Sequence, residues 1–250
     1  MRIDVLGVGF DDVTVEQAVL RACEIIELAD GQNRYVATPN PEIVWMAHRN
    51  EPLATAINRA WLVLPDGIGV VIGARILGTP LRGGRVPGID FASALFEKLA
   101  ESGKSVFLLG AKPGVASLAG QNLAEKYPGL RIAGALDGYF TENEPIIGQI
   151  NASRPDLLLV CLGAPKQEQW MAENSERLDV ALSAGLGGAL DVFAGNAKRA
   201  PVFFRRTGLE WFYRLLCEPR RIKRSLRLPL FVLAVVWSRI RGRHGKAYCF

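Results

Sequence analysis

Histidine is scarce in this 250-residue chain: there are two, His48 and His244, and neither has a metal-ligating neighbour at useful spacing. That scarcity argues against a zinc site. Four cysteines (Cys23, Cys161, Cys217, Cys249) stand far apart with no Cys-x-x-Cys pair, the pattern of buried or incidental thiols in a reducing compartment. No Asp-x-Asp motif is present to hold a metal-bound sugar diphosphate. The Gly-x-Gly-x-x-Gly and P-loop fingerprints are missing too, so a nucleotide-dependent oxidoreductase or epimerase is a poor fit. The apolar run Leu228–Trp237 is ten residues long and contains Pro229, whereas a spanning helix needs about 20 residues. The N-terminus does not read as a secretory signal, because Asp11 and Asp12 follow its short apolar stretch at once. The expectation is a cytoplasmic protein with no metal and no cofactor.

Positive charge is abundant at one end. Residues 201–250 hold 12 Lys/Arg against two acids, Glu210 and Glu218, whereas residues 1–200 hold 18 basic and 23 acidic side chains. An acidic body with a strongly basic tail points to an anionic partner: phosphate groups, acidic lipid or nucleic acid. Two units are expected, a body over 1–200 and a basic appendage over 201–250.

Within the body, apolar runs alternate with amphipathic segments. Strands are predicted over Ile3–Val8, Tyr35–Thr38, Trp61–Leu64, Ser105–Leu109, Arg131–Ala135, Asp156–Leu162 and Asp179–Ala184. Helices are predicted over Val15–Leu28, Pro41–Arg49, from Ile68, Phe91–Glu101 with Asp90 as its cap, Val115–Lys126, Glu144–Ser153 and Lys166–Asn174. Such alternation implies right-handed βαβ crossovers and an α/β fold with a Rossmann-like, largely parallel sheet. The tail reads as helical over Phe203–Cys217, with Leu209, Phe212, Tyr213 and Leu216 on one face. Leu228–Trp237 reads as an interfacial helix or a cap on the body.

In open α/β sheets, ligands bind beyond the C-terminal ends of the strands, at helix N-termini. Polar clusters fall at those positions: Thr38-Pro-Asn40, Pro65-Asp66-Gly67, Gly110–Gly114, Gly138-Tyr-Phe140 and Gly163–Glu168. Asp66 is either a general base at the mouth of a cleft or a turn aspartate capping a helix. Gly110–Gly114 is either a phosphate-binding turn or simply a tight one. Tyr139 either stacks on a nucleobase or packs half-buried. Gln167 and Glu168 open a helix, as ligands or as solvated first-turn residues. Without a metal, a leaving diphosphate needs cationic side chains or amide dipoles, which Arg85 and the basic tail offer. Arg214, Arg221 and Arg224 share one face if the helix bends little at Pro219. Arginine suits bidentate phosphate contacts, and it equally suits attraction to anionic headgroups.

Several motifs occur in order: Thr38-Pro-Asn-Pro-Glu42, Pro65-Asp-Gly-Ile-Gly69, Arg85-Val-Pro-Gly-Ile-Asp90, Gly163-Ala-Pro-Lys-Gln-Glu168, Arg199-Ala-Pro201 and Gly208-Leu-Glu-Trp-Phe-Tyr-Arg-Leu-Leu-Cys-Glu-Pro-Arg-Arg221. Together they resemble the WecG/TagA/CpsF family of glycosyltransferases over roughly residues 2–230. The resemblance implies inverting, metal-independent transfer of a hexose-type sugar (N-acetylmannosamine, its uronic acid or glucose) from a UDP-sugar. The implied acceptor is a sugar on polyprenyl diphosphate, in cell-surface polysaccharide synthesis. Carried over by motif, Asp66 is the general base, and Thr38, Asn40, Arg85 and Gln167 surround donor and acceptor. Tyr139 and Asp191 face the nucleotide, and Arg214, Arg221 and Arg224 hold the diphosphate. Gly67, Asp90, Gly110 and Glu168 complete the expected substrate-binding set. The appendage implies a peripheral position on the inner face of the membrane, and homo-oligomers are common in the family. Residues 228–250 run longer than the core pattern requires.

The competing expectation is a non-catalytic module that binds membrane or polyanion, motivated by the charge split. The polar clusters at the strand ends argue against it, since a binding tail has no need of them. No nucleic-acid partner is expected.

Overall fold

The computed structural model describes residues 2–201, 203–204, 210–217, 227–242 and 247–248. Its centre is a six-stranded, wholly parallel sheet in the order β4-β3-β8-β7-β5-β6. The strands are β3 (Arg34–Ala37), β4 (Leu62–Val63), β5 (Ser105–Gly110), β6 (Arg131–Leu136), β7 (Leu157–Cys161) and β8 (Leu182–Gly185). Side chains alternate across a strand. In β5, Val106 and Leu108 therefore enter one core while Phe107 and Leu109 enter the other; in β7, Leu157 and Leu159 oppose Leu158 and Val160 in the same way. Both faces are covered, as a parallel sheet requires.

One layer is built by α1 (Val15–Leu28), α5 (Gly88–Glu101), α6 (Val115–Lys126) and α9 (Ala189–Phe193). The other holds α2 (Pro41–Ala47), α3 (Glu51–Asn58), α4 (Ile68–Ile76), α7 (Asn143–Ser153) and α8 (Lys166–Asn174). Local chemistry sets the ends of several helices. Thr14 and Gln17 form a reciprocal capping box before α1. Asn40 caps α2 ahead of Pro41, and Asn50 caps α3. Helix α5 starts at Gly88, so Asp90 lies in its first turn rather than at its cap.

The start of the chain departs from the sequence reading. Ile3–Val8 is not one strand of the parallel sheet. Leu6 and Gly7 both take positive φ (56° and 91°), and the chain folds into an antiparallel hairpin of β1 (Arg2–Val5) and β2 (Val8–Asp11). Two successive left-handed residues match the twist of a tight hairpin, and glycine accepts that geometry freely. The hairpin is tied to the sheet by charge. Arg2 pairs with Asp11 at 3.1 Å, both largely buried, and Arg2 also donates to the carbonyls of Asn58, Ala60 and Trp61. Asp11 accepts from the Val63 amide at 2.8 Å. Breaking a buried pair leaves an uncompensated charge, so Asp11→Ala is expected to lower the unfolding free energy by about 3–5 kcal/mol in a denaturant titration.

The described parts of the tail contact the body at three places. Helix α10 (Glu210–Cys217) reaches the site described below. Helix α11 (Arg227–Ile240) packs on α2 and α4, with Phe231 and Val235 fully buried in the core. Gly69 and Gly73 on α4 make that approach close: a Cβ on Gly73 would stand 3.0 Å from the Phe231 ring. Arg227 pairs with Glu42 at 2.8 Å across the same contact. Strand β9 (Ala247–Tyr248) then adds to the free edge of β1. Among the described residues, no helix is long and apolar enough to cross a membrane.

Candidate active site

A cavity of about 450 Å³ opens beyond the C-terminal ends of the strands. Strand order decides which loops line it. The loops after β3, β4, β7 and β8, four adjacent strands, contribute Thr38, Asn40–Ile43, Asp66–Gly69, Gly163, Ala164, Gln167 and Leu186–Gly188. The loops after β5 and β6 lie at the far end of the sheet. Thr38, Asn40, Asp66, Gly67, Arg85 and Gln167 thus come together on the cavity wall, while Asp90, Gly110, Tyr139, Glu168 and Asp191 are not part of its lining.

Each wall residue is held in place. Thr38 is buried and its hydroxyl donates to the Gly185 carbonyl at 2.8 Å, bonding β3 to β8. Asn40 uses its side-chain oxygen on the Ile43 amide at 3.0 Å, and its amide nitrogen makes no hydrogen bond among the described residues. Asp66 is half-buried, with its backbone amide directed at the Pro39 carbonyl. Gly67 takes φ 93° to turn the chain into α4, so Asp66 sits at the mouth of that helix. Arg85 pairs with Glu210 of α10 at 3.6 Å, both about four-fifths buried. The tail is thereby brought onto the cavity rim, where Trp211 and Leu215 also stand.

Gln167 is fixed at both ends of its amide. Its oxygen accepts from the Gly187 amide at 2.9 Å and its nitrogen donates to the Glu168 carboxyl at 2.8 Å. Gly185 leaves the room for this, since a Cβ there would stand 3.3 Å from the Gln167 nitrogen and 2.6 Å from the Met171 methyl. Glu168 itself is 1% exposed, behind Gln167, with one oxygen unpartnered. Burial raises its carboxyl above the ordinary 4.5, outweighing the hydrogen bond from Gln167 that lowers it. The folded state therefore holds that proton more tightly than the unfolded chain does. The resulting stability is complete below pH 4.5 and declines as pH rises above it. Glu168→Gln removes this slope, so melting temperatures from about pH 4 to about pH 8 are expected to show the variant gaining on wild type as pH rises.

The remaining predicted residues lie elsewhere. Asp90 pairs with Arg199, whose side chain does line the cavity. Gly110 (φ 132°) packs on β7, where a Cβ would stand 2.3 Å from the Cys161 carbonyl oxygen. Tyr139 is 70% exposed, with its amide bonded to Asp137. Asp191 is in the first turn of α9 and Arg214 is in α10. Arg221 and Arg224 fall outside the described residues. Three parts of the wall are not among the expected site residues: the Leu186–Gly188 loop, Arg199, which the sequence shows only as part of a motif, and the facing surfaces of α4 and α11. The signal for the last was available in Gly69 and Gly73, four residues apart on α4.

A parallel sheet with a ligand-sized cavity beyond its strand ends, carrying a few convergent polar groups, is the site arrangement of α/β enzymes. The sequence matches the Glycosyl transferase WecG/TagA/CpsF family over residues 3–245, and the chain belongs to that family. It is similar to an N-acetylglucosaminyldiphosphoundecaprenol N-acetyl-beta-D-mannosaminyltransferase of Bacillus spizizenii, 39% identical over 85% of this chain and 82% of that one. It is also similar to the Staphylococcus aureus protein of that name, 33% identical over 98% of this chain and 96% of the other. The protein is thus a glycosyltransferase, and a purely non-catalytic module is set aside. The match continues to residue 245, so most of the segment 228–250 lies within the family pattern.

Proposed function

We propose that the protein transfers N-acetylmannosamine from a UDP-sugar to N-acetylglucosamine carried on polyprenyl diphosphate, in the synthesis of a cell-surface polymer. The printed activity of the two relatives supports the sugar and the acceptor. The observation that carries the chemistry is the convergence of Asp66, Thr38, Asn40, Arg85 and Gln167 on one cavity. In this reading the Asp66 carboxylate takes the proton from the acceptor hydroxyl. The oxygen bonds to the anomeric carbon as the bond from that carbon to UDP breaks, and UDP leaves with the electron pair. Attack and departure on opposite faces invert the configuration. The leaving diphosphate is neutralised by Arg85 and the tail arginines Arg214, Arg221 and Arg224, with no metal required.

The tail also contacts the membrane in this reading. Helix α11 turns Leu230, Leu233, Trp237 and Ile240 outward, and basic residues flank it, the combination that favours an anionic interface. The test is a panel of UDP-sugars with a short-chain lipid-diphosphate N-acetylglucosamine acceptor, read by mass spectrometry. A mass gain of one N-acetylhexosamine from the UDP-N-acetylmannosamine arm alone is the expected result. Transfer of a different sugar would overturn the donor assignment, and no product from any donor would overturn the whole reading.

A further inference from the structure

The cavity has two unlike parts. Its polar wall surrounds Asp66, whereas a second part follows α4 away from that residue. Ile68, Gly69, Ile72, Gly73 and Ile76 recur at helical spacing along the lining and so form one strip. At 1.5 Å per residue the strip is about 12 Å long, and it begins two residues after Asp66. The opposite wall is α11, through Leu228, Phe231, Val232 and Val235 at the same spacing. Phe231 and Val235 are buried and make the floor, while Ile72 (48% exposed) and Val232 (42% exposed) make the rims.

An apolar groove open to solvent costs free energy unless a ligand covers it. Its occupant must be apolar, narrow and attached to something that reaches Asp66. We infer that the groove between α4 and α11 binds the first isoprene units of the lipid-linked acceptor. The inference rests on the reading of Asp66 as the site of transfer. It adds to that reading a built site for the lipid, separate from any contact of the outer face of α11 with a bilayer. Gly73 then has a second use: a side chain there would press on the Phe231 ring and alter the groove. The groove gives the enzyme a means of selecting an isoprenoid acceptor, because affinity gained there is lost by a headgroup without its chain.

The experiment has two arms, both on the full chain without membranes. In the first, N-acetylglucosaminyl diphosphates bearing a methyl, one, two or three isoprene units are compared as acceptors. KM is expected to fall by at least about tenfold over the first two units, an effect the size of burying a few methylenes. Ile72→Asn with Val232→Asn is expected to abolish that dependence on chain length. An unchanged dependence in the variant, or none in wild type, would overturn the inference. In the second arm a fluorescent farnesyl diphosphate analogue is titrated into wild type and variant. Saturable binding lost in the variant supports the groove, even if no acceptor is glycosylated and the reading of Asp66 falls. Equal binding by both proteins overturns it. Displacement of the probe by phospholipid vesicles lacking isoprenoid would assign the strip to the bilayer instead. Self-association that disappears in the variant would assign it to a second copy of the chain.

Discussion

Asp66→Asn is expected to lower turnover by about 10²–10⁴-fold, the usual worth of a positioned general base, while leaving UDP-sugar binding nearly intact. The carboxylate follows β4 by three residues and precedes α4, whose entry is fixed by the positive φ of Gly67. Asparagine has the same shape and keeps a hydrogen-bonding oxygen, so the substitution removes basicity without opening a cavity. The helix mouth already favours a negative group, and loss of that charge costs little stability at a half-exposed position. Steady-state kinetics with the lipid acceptor, together with calorimetric titration of UDP, separates the two effects. Near-wild-type turnover with normal folding would remove Asp66 from the chemistry and leave it the role of a turn aspartate.

Phe231→Ala is expected to release α11 from the body. Removing a buried phenylalanine costs about 3–5 kcal/mol, and α11 has few other anchors. Val235 is the only other fully buried side chain among the described residues of that helix, aided by the Arg227–Glu42 pair and by a long Arg239 contact to the Leu77 carbonyl at 3.4 Å. Partly exposed ion pairs add little. The loss falls on the largest buried anchor of α11, so the helix is expected to undock locally before the body unfolds. Hydrogen exchange should show the amides late in α11 losing protection while those of β5 and β7 keep theirs. Because α11 is one wall of the cavity, KM for a lipid-linked acceptor should rise in parallel. Full protection of α11 in the variant would show that the tail is held by contacts other than this ring.

Much of the fold is legible along the chain. Val15–Leu28, Val115–Lys126 and Lys166–Asn174 form helices with the expected bounds. The first has a capping box and an apolar stripe, both local features that need no distant partner. The buried strands β5 and β7 were equally clear as short apolar runs. Helix α3 is not among the expected elements, yet Asn50, Pro52 and the spacing of Leu53, Ala56 and Ile57 all mark it. The hairpin at the start is not legible, because Ile3, Val5, Leu6 and Val8 read as one apolar strand and the left-handed turn at Leu6-Gly7 leaves no mark in hydrophobicity.

The candidate site divides in the same way. Asp66, Thr38, Asn40 and Gln167 could be selected from sequence because each follows a strand and opens a helix, a rule that depends only on neighbours. Gly110 and Tyr139 satisfy that rule equally well, yet they follow β5 and β6 at the far end of the sheet. Strand order separates them, and strand order arises from packing both faces of the sheet, to which residues far apart in the chain contribute. Glu168 shows the same limit at shorter range: a first-turn glutamate reads as solvated, but the approach of β8 at Gly185 and the Gly187 amide close over Gln167 and bury the carboxyl behind it. The α/β class, the family and the polar residues that can do chemistry are legible in the chain, because periodicity, caps and ordered motifs are local. Which of those residues share a cavity, and that α11 forms its apolar wall, follows from the fold, because both depend on burying distant surfaces against one another.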